Sequence, residues 1–126
     1  MEKNIAFVHL YNCLYMTSSF YIDLAPLESP VLQVFDELET QYVRAFHPQA
    51  IRSLVDMGII SDEIAGELNR LNDFVMKIKG EYWNEDDFDH SEDWNLARRW
   101  ADSLMQKLGM QKKGFDSHGE FITYLK

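Results

Sequence analysis

Along residues 5–20, apolar side chains recur at helical spacing. Phe7, Leu10, Tyr11 and Leu14 form one stripe, and Ile5, Val8, Tyr15 and Phe20 widen it. A segment apolar on most sides predicts a helix at the middle of a bundle. Its many aromatic and β-branched residues leave a strand pair turning at residues 17–19 as the competing reading. After the connector DLAPLESP, Ser29 followed by Pro30 has the form of an N-cap with proline at the first helical position. The helix predicted there carries Val31, Val34, Phe35, Leu38, Tyr42 and Phe46 on one face and Asp36, Glu37 and Glu39 on the other. His47 before Pro48 ends it, because a residue preceding proline avoids the α region. Pro48 then opens a short helix with Ile51, Leu54 and Val55 inside.

Gly58 suits the position just past a helix end, and Ser61 suits the cap of the next helix, with Asp62 and Glu63 in its first turn. Ile64, Leu68, Leu71, Val75 and Ile78 make its core stripe, and Gly80 stops it. A last stripe, Trp94, Ala97, Ala101, Leu104 and Leu108, has Ser91 or Asp93 as its cap and Gly109 beyond its end. Trp94 belongs to the core, whereas Trp100 lies off the stripe beside Arg99. Ser117 and Glu120 have the spacing of a capping box, ahead of Phe121, Ile122, Tyr124 and Leu125. The pattern predicts an all-α, single-domain helical bundle over residues 1–126, with four main helices plus one or two short ones.

Composition changes this picture in one respect. The 126 residues are 46% hydrophobic, enough for a real core, but 21 acids against twelve bases give a formal charge of -9. Such a surface repels phosphate backbones and anionic headgroups, so neither nucleic acid nor membrane is an expected partner. The lone Cys13 has no disulfide partner in the chain, which fits a cytoplasmic protein. The opening MEKNIAFVHLYNCLYM has an apolar run broken by His9 and Asn12 and too short to span a membrane, and it reads as a core helix.

Motifs for chemistry are missing. The six glycines are dispersed, no HExxH, CxxC or GxSxG occurs, and the four histidines are far apart. Asp87, Asp89 and Ser91 have the first spacings of an EF-hand loop. Its sixth position is Glu92 where glycine is needed, and its twelfth is Arg98 instead of a bidentate glutamate. An irregular cation site from Asp86, Asp87, Asp89 and His90 is the metal alternative. The reading preferred here has no enzyme activity, no cofactor and no metal. LVDMGIISDEIAGEL has the outline of a helix-turn-helix, but Asp62, Glu63 and Glu67 stand where phosphates would meet it.

What remains is EYWNEDDFDHSEDW, residues 81–94, an expected loop leading into the last helix, with seven acids and no lysine or arginine. Glu92 and Asp93 suit a helix N-terminus; the other acids have no local cation. Its rings either fold back on the bundle or stand out as anchors. In the second case Trp83 and Phe88 are the anchors of a partner-binding patch, and Glu85, Asp86, Asp87, Asp89, Glu92 and Asp93 supply the electrostatics. With the helix WNLARRWADSLMQKLG, this stretch resembles the small acidic immunity proteins by which bacteria neutralise toxin domains, including those of contact-dependent inhibition. The resemblance implies occlusion of a basic toxin domain, such as a nuclease. A cytoplasmic helical adaptor or regulatory domain that binds another protein is the alternative function.

Overall fold

Asn4 starts the first helix: its side chain accepts the backbone N–H of Phe7, as an N-cap should. The computed structural model describes residues 4–116, and the expected capping box at Ser117 and Glu120, with the apolar residues after it, lies outside them. Helix α1 (Ile5–Thr17) has Leu10, Tyr11, Cys13, Leu14 and Met16 buried, and it packs on three later helices. Thr17 and Ser19 close it by donating their hydroxyls to the carbonyls of Cys13 and Tyr15. The competing strand reading is thereby settled as helix. Two short elements follow, α2 (Tyr21–Leu24) and a 3-10 turn (Ala25–Leu27).

The Ser29–Pro30 expectation is wrong. Ser29 does not cap a helix; its hydroxyl accepts the N–H groups of Val31 and Leu32, and Ser29 and Leu32 form an isolated bridge. The segment is a tight turn, and α3 (Val34–Ala45) starts four residues later, where Glu28 reaches across to the Val34 N–H. Val31 is consequently outside the helix and 96% exposed.

The remaining elements follow the pattern, except that the helix expected to run to Gly80 ends at Met76, leaving Ile78 buried outside it and Gly80 in a 3-10 turn (Gly80–Tyr82). α4 (Pro48–Asp56) begins at the proline with the His47 ring accepting the Gln49 N–H, and ends at Gly58, whose φ of 74° a side chain would resist. α5 (Asp62–Met76) is capped by Ser61 and buries Leu68, Leu71 and Val75. α6 (Glu85–His90) and α7 (Glu92–Lys107) are separated by Ser91, which caps α7. Helix α7 packs on α1, α5 and α6, and a single apolar core runs through the helices. The four main helices of the sequence pattern are α1, α3, α5 and α7; no strand occurs among the described residues.

Past Gly109 the chain turns back along α1. The Asn12 side-chain amide pairs both ways with the Asp116 backbone, at 3.1 and 2.7 Å, and Tyr11 donates to the Gly114 carbonyl while accepting the Lys113 N–H. No helix among the described residues is long and apolar enough to cross a membrane.

Candidate functional site: an acidic face on a rigid aromatic base

Asn84 organises the acidic stretch. Its carbonyl oxygen accepts the Asp87 N–H at 2.9 Å, and its amide donates to the Asp87 carboxylate at 2.6 Å and to the Glu81 carbonyl. This reciprocal cap converts residues 85–90 from the expected loop into α6. Glu85, Asp86 and Asp87 fall in the first turn of α6, and Glu92 and Asp93 in the first turn of α7. Asp89 serves a third helix: its Oδ1 accepts the Tyr21 N–H at the start of α2, at 2.7 Å.

The aromatic residues lie underneath. Phe88 is 0% exposed, in edge contact with Phe35 (5.6 Å between centroids) and tilted against Trp94 (5.0 Å). Trp83 meets Trp94 edge-on at 5.1 Å, and each indole N–H is used internally, on the carbonyls of Ile78 and Tyr82 at 2.9 Å. The expectation of Phe88 as an exposed anchor therefore fails: the ring fills the core, where a partner cannot touch it. Trp83 is half-buried and tied down, a support for the acids above it. The ring of this stretch left open is Tyr82, which was not among the expected anchors.

Arg98 was also missed as a functional residue. It is 6% exposed, and its guanidinium donates to the carbonyls of Ser19 and Phe88 and to Asn95 Oδ1. It lies 4.0 Å from the Phe20 ring centroid and 5.1 Å from that of Phe88. Burial lowers its pKa, and the nearby Asp89 charge works against that. One buried cation thus joins the end of α1, α2 and α6 to α7. The signal was present: position 98 lies beside Ala97 and Ala101 on the stripe of α7.

The charge balance on this face is decided by magnitude. A helix N-terminus is equivalent to about half a positive charge, so three offer about 1.5, and Arg98 adds one. Seven carboxylates exceed that severalfold. Among the described residues no lysine or arginine forms an ion pair with them; Asp86 meets His90 at 3.3 Å, both exposed. The helix ends explain how the acids are tolerated, not why there are so many.

The rest of the surface offers less chemistry. Cys13 is buried, and burial pushes its thiol far up, with Tyr42 and Thr17 hydroxyls beside it. Among the described residues no group of three or more histidine, cysteine, aspartate or glutamate side chains is arranged to hold a metal ion. An open cleft between α4 and α5, lined by Phe46, Ile51, Arg52, Val55 and Asp62 among others, contains neither histidine nor cysteine. No family model, curated protein or solved structure matches this chain.

Proposed function

We propose that this protein is a non-catalytic binding protein of the bacterial cytoplasm, an immunity protein that occludes a basic toxin domain. The observation that carries this reading is the set of seven carboxylates on α6, α7 and the turn before them. Among the described residues they have no lysine or arginine ion-pair partner, and they are held on an aromatic base. A backbone already ordered by α6 and α7 loses little loop entropy on binding, so attraction of its carboxylates to a cationic surface is realised more fully. Their field also speeds encounter with such a surface. Nuclease domains carry that charge because they bind phosphate. Neither metal nor cofactor has a part in this role.

The test separates contact from folding. Asp87 is unsuitable, because its carboxylate takes the Asn84 amide and its loss loosens the cap of α6. Glu85 and Asp86 are exposed and make no such bond, apart from the Asp86–His90 pair. Proteins captured from the source cells by the wild-type chain should be basic and should be released by salt. The Glu85→Lys/Asp86→Lys variant, melting like wild type, should not retain them, and co-expressed wild type should abolish the partner's toxicity. Equal retention by both chains, or partners that are not basic, contradicts the proposal.

A further inference from the structure

The acidic face continues beyond α6. Two stretches of this chain, residues 4–43 and 80–97, contain no lysine or arginine at all, yet hold twelve of the 21 acids. The other nine acids share the remainder with all twelve bases. Distant in sequence, the two stretches are joined in the fold. Asp89 of α6 holds the Tyr21 N–H of α2, the Tyr21 ring stacks on Phe35 at 6.0 Å, and Phe35 meets Phe88 edge-on. Glu28 accepts the Tyr21 hydroxyl at 3.1 Å and so brings its own charge to the same place. The molecule is therefore polarised, with an acid-rich side where α2, the start of α3 and α6 meet; Arg98 lies against Phe20 beneath it, and Lys112 reaches its margin at the Ser18 carbonyl.

In the middle of that side stands uncovered apolar surface. Ile22 is 79% exposed and Phe20 48% exposed. Single exposed apolar residues on long helices, such as Val43 or Leu96, need no explanation. Ile22 differs in being mounted on a short element fixed from several directions. Leu24 is fully buried, Asp23 accepts the Phe20 N–H, Asp89 accepts the Tyr21 N–H, and Arg98 lies over one face of Phe20. An apolar side chain on so rigid a mount, with Asp23 next to it in sequence and Asp89 and Glu85 both acting on the preceding Tyr21, has the layout of an anchor within a charged rim.

We propose that α2 and α6 form one docking surface for a cationic protein, with Ile22 seated in an apolar pocket that the partner rims with lysine or arginine. Charge complementarity selects this occupant: a second copy of the chain would set like charges against each other across the contact. The inference rests on reading α6 as a face for a basic protein, and it moves the apolar anchor from Trp83 and Phe88 to α2.

A phage-displayed library of random peptides, panned on the full chain at low salt, supplies a defined probe. Selected peptides should combine lysine or arginine with aliphatic or aromatic residues. Binding of a synthetic copy should weaken about tenfold in Ile22→Ser, a surface change that leaves the melting curve in place, and should survive in Ile22→Met. If Ile22→Ser binds like wild type while Glu85→Lys/Asp86→Lys does not, the α2 surface is refuted and the acidic reading stands. If the selected peptides are not basic, or neither variant weakens them, both are refuted. A wild-type dimer in sedimentation that Ile22→Ser dissociates assigns the surface to a second copy and overturns the proposal.

Discussion

Arg98 donates a hydrogen bond to the carbonyl of Phe88 while its guanidinium lies 5.1 Å from that residue's ring centroid. A residue on α7 thus grips both the backbone and the side chain of α6. The same group holds the carbonyl of Ser19, so one side chain sets how α6 and α2 stand relative to the core.

Removing that group should be costly. Arg98→Met keeps bulk but leaves two buried carbonyls without a donor, a loss of about 2–4 kcal/mol in urea unfolding. Arg98→Lys keeps the charge but not the planar fork that reaches three acceptors, and should recover less than half of the loss. Full stability in Arg98→Met would show that the guanidinium is solvated and that α2 and α6 are held by packing alone.

The roles of the rings under the acids separate by size of effect. Phe88→Ala opens a cavity where the ring is wholly buried and should cost about 3–5 kcal/mol. Trp83→Phe retains an aromatic edge on Trp94 and loses the N–H bond to Ile78, a cost of about 1 kcal/mol. Chemical denaturation of both variants checks this. A stable Phe88→Ala with impaired partner binding is the opposite result, and it would restore Phe88 as a contact residue.

These rings mark where the sequence was legible and where it was not. Long stripes such as Ile64–Leu68–Leu71–Val75 carry their own phase, so α3, α5 and α7 and the cap Ser61 could be read directly. Helix α1 kept a strand alternative, and Ser91 shared the cap of α7 with Asp93, until the structure decided both. Short elements carry no phase. In residues 84–90 the decisive feature is Asn84 with Asp87 three residues on, a cap whose second member looks like one more surface acid. With α6 unseen, no periodicity could decide whether Phe88 folded back on the bundle or stood out. Ser29–Pro30 failed for a related reason: the same dipeptide opens a helix or a turn. The choice was made by Glu28, which reaches the Val34 N–H over a distance that local pattern does not encode. Arg98 was hidden because a cation on an apolar stripe reads as an interruption, although it has three acceptors waiting.

Alkaline pH should destabilise the fold through groups buried as neutral acids. Burial raises Cys13 above its ordinary 9.0, and Tyr42 and Tyr11 above 10.0, the last against the opposing Lys113 N–H bond. Each group keeps its proton in the folded chain at a pH where the unfolded chain has released it. Stability is therefore complete below the unfolded values and falls as pH rises past them. The slope is about 1.4 kcal/mol per pH unit for each group engaged, Cys13 first and the tyrosines next. Urea midpoints measured from neutral pH upward should show the decline beginning near the thiol value and steepening beyond the tyrosine value. Cys13→Ala should delay its onset. A profile flat through that range would mean these side chains titrate freely and are not enclosed.

Salt should act on folding and on binding with opposite signs. Two like charges about 10 Å apart in water repel by about 0.4 kcal/mol, and the carboxylates of α6, α7 and α2 form many such pairs. The exposed ion pairs Lys107–Glu67 and Lys112–Asp102 that salt would weaken are worth about 0–1 kcal/mol each. Repulsion wins, so sodium chloride raised from about 20 mM to about 0.5 M should stabilise the protein by about 1 kcal/mol as the Debye length shrinks. Over the same range a complex with a cationic partner should weaken by tenfold or more, because the attraction being screened lies between the molecules. The carboxylates that strain the free protein would be the ones that hold the complex. A melting temperature that falls with sodium chloride would show that the carboxylates are matched within the chain. A complex indifferent to salt would show that they are not what the partner meets.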